Sequence, residues 1–254
     1  MATYKESVGT AVQNIAGEDG VVTGQLWYDS SDSEFKYKYQ AYGNAWSTGN
    51  SLNTARAILM GSGTQTAAVA AGGEDASPNY LANTELYNGT SWSEVNDMIN
   101  GLVQQEAAGS STSALVFGGW TGTWSALSEE WNGTNWSAQV NLPVSRSNHA
   151  AAGQTDANSA LAFGGSYPPA GAADTDTVEW NGSAWTTYAD TDLGPAYHRN
   201  GVGFGSTEAA LYSNHTSFNK EWNGSAWSSI SNTTLDHTQG GGGGTVNDGV
   251  VFGG

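Results

Sequence analysis

The chain has no cysteine. That absence removes disulfides, thiolate metal sites and thiol nucleophiles together. Basic residues are nearly as scarce: seven Lys and Arg stand against 24 Asp and Glu, a formal net charge of −17. Such a surface repels the phosphates of nucleic acid and of anionic membranes, so no nucleic-acid partner is expected. Charge of either sign is thin, at 12% of residues against about 25% in an average domain. No apolar run is long enough to cross a bilayer, and MATYKESVGT at the start lacks the apolar core of a signal peptide. Neither membrane insertion nor an export signal is therefore expected. What is present is glycine (35 residues), many Ser, Thr and Asn, and 11 Trp. A turn-rich, aromatic composition of this kind belongs to all-β proteins of many short strands. Disordered chains are poor in aromatics, so this one should fold.

One phrase recurs. EEWNGTNWS (129–137) returns as VEWNGSAWT (178–186) and KEWNGSAWS (220–228), with weaker copies ELYNGTSWS (85–93) and QAYGNAWS (40–47). The second aromatics, Trp46, Trp92, Trp136, Trp185 and Trp227, are spaced 46, 44, 49 and 42 residues apart. Between them runs a second phrase ending in Gly-Gly: AAVAAGG (67–73), ALVFGG (114–119), ALAFGG (160–165) and GVVFGG (249–254), with a degraded AALYSN at 209–214. Ahead of each lies a segment of small residues closing on Gly63, Gly109, Gly153, Gly205 or Gly244. Each unit reads as four strands: small, apolar, aromatic-ending and Trp-bearing. Asn-Gly between the last two predicts a type I′ hairpin, both central residues at positive φ. Four-stranded units repeating every 45 residues or so predict the blades of a β-propeller. Small residues suit the crowded axis; Trp and Tyr suit the widening gaps outside.

The C-terminus stops after the second strand of a unit, and the first Trp phrase (35–47) has no strands of its own before it. The two halves complement each other. The expectation is a five-bladed β-propeller over 25–254, closed by mixing N- and C-terminal strands, which removes exposed sheet edges. Residues 24–39 read as a hairpin across Ser30–Ser33, and 1–24 as an N-terminal arm.

The Gly-Gly and spaced aromatics resemble kelch-type repeats. More narrowly, SVGTAVQNIAGEDGVVTGQLWYDS (7–30) together with TARAILMGSGTQTAAVAAGG…TELYNGTSWS (54–93) is similar to kelch-like virion proteins of tailed bacteriophages, especially those of marine bacteria. That resemblance covers essentially the whole chain. It implies a non-enzymatic virion structural protein (a tail or head fibre, appendage or decoration component). Its partners would be other virion proteins and a host surface glycan, in a multi-copy assembly, with the 1–24 arm as an attachment segment. A glycan-binding five-bladed lectin is the alternative.

Seven residues before the five strand-ending glycines stand Arg56, Leu102, Arg146, His198 and His237, with Arg199 beside His198. In a propeller these positions share one face near the axis. Two readings follow: a cationic ring gripping carboxylates, or internal locks pairing with Glu85, Glu129, Glu130, Glu179 and Glu221. Trp120 and Trp124, in GGWTGTWSALS, should lie in a loop on the same face, with Tyr167 in the corresponding loop of the next blade, offering plates for sugar rings. The eight repeat Trp are expected to be packing. Catalytic residues are not expected, because Glu106 is almost alone among inner-strand carboxylates. No cofactor and no metal are expected; the run DTDTVE (174–179) reads as a solvated loop.

Overall fold

In the computed structural model, the residues described are 4–5, 11–15, 26–31, 33–37, 49–153, 156–168, 172–173, 175–188, 193, 201–214, 218–231 and 240–252. All of their regular structure is β, and no helix is long and apolar enough to cross a membrane. The chain separates into two compact units, residues 1–48 and 49–254.

The first unit holds one sheet of four strands in sequence order: β1 (Tyr4–Lys5), β2 (Ala11–Ile15), β3 (Leu26–Asp29) and β4 (Glu34–Tyr37). Strand β2 runs parallel to β3. Strands β3 and β4 form the hairpin expected across Ser30–Ser33, with Asp29 opposite Glu34.

The second unit is a β-propeller arrangement of small antiparallel sheets. Blade I comprises β5 (Met60–Thr64), β6 (Ala67–Ala71), β7 (Thr84–Tyr87) and β8 (Trp92–Glu94). Blade II comprises β9 (Glu106–Ser110), β10 (Ser113–Phe117), β11 (Ser128–Trp131) and β12 (Trp136–Ala138). Blade III opens with β13 (Ala150–Ala152) and β14 (Ala160–Phe163). A small hairpin follows, β15 (Ser166–Tyr167) and β16 (Ala172–Ala173), and then β17 (Thr177–Trp180) and β18 (Trp185–Tyr188). Blade IV comprises β19 (Val202–Gly205), β20 (Ala210–Asn214), β21 (Phe218–Trp222) and β22 (Trp227–Ser229). The chain closes with the two-stranded β23 (Gly241–Gly244) and β24 (Gly249–Phe252). Inner strands β5, β9, β13, β19 and β23 neighbour one another in that order.

The count corrects the sequence reading. Five four-stranded blades are expected; four are complete, and the fifth repeat contributes the pair β23–β24. Of the segment 35–47 expected to complete it, 35–37 belongs to β4, and 38–47 lies outside the described residues.

The hairpin turns are a second correction. Each runs four residues, from Asn88, Asn132, Asn181 or Asn223, and only the glycine takes a left-handed φ, between 89° and 91°. The Asn stays outside that region because its side chain is the cap. Asn132 Oδ1 accepts the amides of Thr134 (3.0 Å) and Asn135 (2.9 Å), and the other three turns repeat the pattern. On either side the aromatics face each other across the strands: Trp131 with Trp136, Trp180 with Trp185, and Trp222 with Trp227, ring centroids 5.4–5.5 Å apart. The third-strand Trp is buried and donates to the turn between its blade's first two strands. The fourth-strand Trp reaches the previous blade: Trp136 Nε1 donates to Thr84 Oγ1, and Trp227 Nε1 to Thr177 Oγ1. These indoles are packing, as the sequence suggests; Trp46 lies outside the described residues.

Gly-Gly marks where the chain leaves the second strand. Both residues are left-handed in blades I to III, for example Gly118 at 69° and Gly119 at 96°. The step throws out a loop whose ends are tied: Gly72 N–H donates to Asn83 O and Gly118 N–H to Leu127 O. In blade IV the strand register continues through Asn214, paired with Phe218, at the place of the first Gly; residues 215–217 lie outside the described residues.

Candidate functional site at the axial mouth

Five inner strands surround the axis, and two cavities lie along it. One, of 250 Å³, is walled by Gly61–Gly63, Glu106, Ala107, Gly109, Ala151–Gly153, Gly203 and Gly242–Gly244. Its wall is largely backbone. Where the inner strands end, Gly109 N–H donates to Gly153 O and Gly153 N–H to Gly205 O, stitching blade to blade. Gly63, Gly109, Gly153, Gly205 and Gly244 share φ of 113–125° there, and a Cβ at any of them would lie within 2.4 Å of a backbone oxygen.

The other cavity, of 330 Å³, opens where the inner strands begin. Ile58, Leu59, Gln104, Gln105, Glu106, Asn148, His149, Gly201 and Gly240 line it. Three of these, Ile58, Gln104 and Asn148, occupy the same place in successive blades with φ of 53–57°. Left-handed backbone costs free energy at a non-glycine residue, most at a β-branched one. It is held by a chain of bonds between blades: Gln104 N–H to Ile58 O, Asn148 N–H to Gln104 O, and Asn148 Nδ2 to Gln104 Oε1.

One residue further along, the side chain becomes a latch. Gln105 lies between blades I and II and donates from Nε2 to Ala71 O. A Cβ on Gly72 would sit 2.2 Å from that nitrogen, and one on Gly119 would sit 2.9 Å from Gln105 Cβ. His149 repeats this between blades II and III, against Gly118 and Gly165. The Gly-Gly pair is thus needed twice, for its φ and for the space its neighbours fill. Neither ring nitrogen of His149 has a hydrogen-bond partner, and nor does Gln105 Oε1. Burial, aided by nearby Arg146, lowers the His149 pKa to about 3, so the imidazole is neutral. Burial of Glu106 raises its pKa to about 8, against a weaker opposing bond from the Ala107 amide.

Arg56 and Arg146 do lie in the loops that precede the inner strands, but both are buried. Arg56 pairs with Glu85 of its own blade, each side chain 0% exposed. Glu85 also accepts the amides of Asn53 and Thr54. Burial opposes the charge on Glu85, yet these bonds and the guanidinium outweigh it and hold the pKa below the usual range. In blade II the position is Leu102, and Glu129 binds the amides of Ile99 and Asn100 instead. Arg146, 0% exposed, has Val178 at the Glu85 position of its blade and donates to Asp176 O. The backbone carbonyls of Leu102 and Arg146 accept from Gly73 and Gly119 of the preceding blade. Arg56 thus pairs within its own blade, while these backbone bonds join one blade to the next. His198, Arg199 and His237 lie outside the described residues.

Trp120 and Trp124 share the loop after Gly-Gly in blade II, edge to face at 5.1 Å. Trp120 bridges Val103, which puts the loop on the face of the inner-strand starts. Trp120 Nε1 donates to Tyr80 Oη at 3.1 Å and Trp124 Nε1 contacts Ser166 Oγ at 3.4 Å, so the pair spans the loops of blades I and III. Tyr167 lies partly buried in β15. No group of three metal-ligating side chains occurs among the described residues.

The amide rim was missed in the sequence reading, though a signal exists. The rim position reads Ile58, Gln104, Asn148, Asn200 and Gln239, an amide in four of five repeats. Asn200 and Gln239 lie outside the described residues. No protein-family profile matches the chain, and a search of curated proteins finds no match either.

Proposed function

We propose that this chain is a non-enzymatic virion structural protein of a tailed bacteriophage, a fibre, appendage or decoration component that displays a rigid propeller for host or subunit contacts. The observation that supports this reading most is the division of labour within the second unit. Charged groups such as Arg56, Glu85 and Glu129 serve the frame, while the loops after Gly-Gly differ from blade to blade. A constant frame with variable loops on one face suits a display platform. The resemblance of residues 7–30 and 54–93 to phage kelch-like proteins gives the setting. Immunogold microscopy of phage particles with antibody to the chain tests it: label on tail or head is expected, and particles without label overturn it.

The ring in this reading is five-bladed, with outer strands from 35–47 completing β23–β24. Phe252 supports this. It stands at the register position of Phe117 and Phe163, which are fully buried, yet is 43% exposed. Val250 on the same strand is 56% exposed. A glycan-binding lectin is the second reading, favoured by the Trp120, Trp124 and Tyr80 cluster.

A further inference from the structure

We propose that the axial mouth is a binding site for one neutral sugar ring, held by the amides of Gln104 and Asn148 and the carboxyl of Glu106 against the apolar side chain of Ile58. This stands whether or not the chain belongs to a virion.

The chemistry of the lining selects the ligand. At 330 Å³ the cavity is at the small end of ligand pockets, which run about 300–1,000 Å³. Carboxamides offer donors and acceptors together, as hydroxyl groups require. Glu106 adds the same pair of capacities, since its carboxyl is held mostly protonated at neutral pH. No Lys or Arg is among the described residues that line the cavity. Ile58 supplies an apolar surface for the C–H face of a ring.

Two further observations mark the mouth as more than a water-filled hollow. First, Gln105 and His149 line it, are 4% and 1% exposed, and keep polar atoms without a hydrogen-bond partner. Buried polar groups are normally paired, and exceptions call for an explanation. Second, the rim holds three consecutive blades in left-handed backbone, a cost that tends to be retained at ligand clamps. The blades also differ at the rim, with Ile58, Gln104 and Asn148 presenting three different side chains. A single ligand on the axis then has one preferred orientation, giving one site per chain rather than one per blade.

Calorimetry and saturation-transfer NMR on the full chain test this, with neutral hexoses and N-acetylhexosamines as probes and glucuronate and glucose 6-phosphate as charged controls. One-to-one binding of at least one neutral sugar is expected, about tenfold tighter than its charged counterpart. Replacing Gln104 and Asn148 together by Gly keeps the left-handed backbone accessible and is expected to weaken binding about tenfold. If that variant fails to fold, Ile58→Arg, at a 48% exposed position, should block the mouth and abolish binding. No binding of any neutral sugar at about 50 mM, more than one site per chain, equal binding of the charged controls, or binding that survives Ile58→Arg would each overturn the proposal.

Discussion

At the residue scale two titratable groups among the described residues of the axial mouth pull stability in opposite directions. His149 has a folded pKa of about 3 against an ordinary 6.5. Between those values the unfolded chain takes up a proton that the folded chain refuses, so stability falls as pH drops from 6.5. Blade II places Gln105 at the same position, which makes His149→Gln a natural replacement. Thermal melts at pH 4.5 and 7.5 should show the variant losing less stability in acid than the wild type; equal losses would mean the imidazole is not the acid-sensitive group. Glu106 works the other way. Its pKa rises from 4.5 to about 8, so the folded chain keeps a proton the unfolded chain releases, and stability falls as pH rises from 4.5 to 8. Glu106→Gln should raise Tm at pH 7.5 by a few degrees and leave it nearly unchanged at pH 4.5. The sequence singled out Glu106 as an isolated inner-strand carboxylate, but its protonation depends on the walls around it. The burial of Arg56 and Arg146 was equally hidden: spacing places them on one face without saying whether they point to solvent or into the blade.

Elements were far more legible. Trp131, Trp180 and Trp222 announce the third strand because a fully buried indole recurs there in blades II, III and IV; blade I has the half-buried Tyr87 instead. The Asn-Gly turns were placed correctly and their conformation mistaken, since the same dipeptide serves a two-residue turn and a capped four-residue one. Asn132→Ala should cost about 1 kcal/mol through loss of the cap. Gly133→Ala should cost more, because φ there is 89°. Denaturant unfolding of the two variants compares these directly. The Gly-Gly step is the severer case. Gly118→Ala combines φ of 69° with a Cβ placed 2.5 Å from His149 Cε1 and 2.9 Å from Arg146 O. A loss of about 3 kcal/mol or more is expected by the same measurement. Blade IV shows what replaces the glycine in the degraded phrase AALYSN: register places Asn214 at the first Gly position, paired with Phe218.

For the whole molecule, period and composition specify the repeat, while the closure proposed above would depend on pairing between chain ends that no local pattern encodes. Deleting residues 1–48 tests it. The expectation is a lower Tm and exposure of β23 and β24 to proteolysis; an unchanged cooperative melt would exclude a role for the N-terminal segment in the ring. The tied loop ends carry a consequence of another kind. Because Gly72 and Gly118 bond across the bases of their loops, the loop tips beyond the Gly-Gly pairs can change in length or wording without disturbing the blade beneath. The step behaves as an insertion point in a cassette. Mutation can rewrite the outward text of this protein while its frame stays fixed, and foreign peptides grafted there should be carried in the same way.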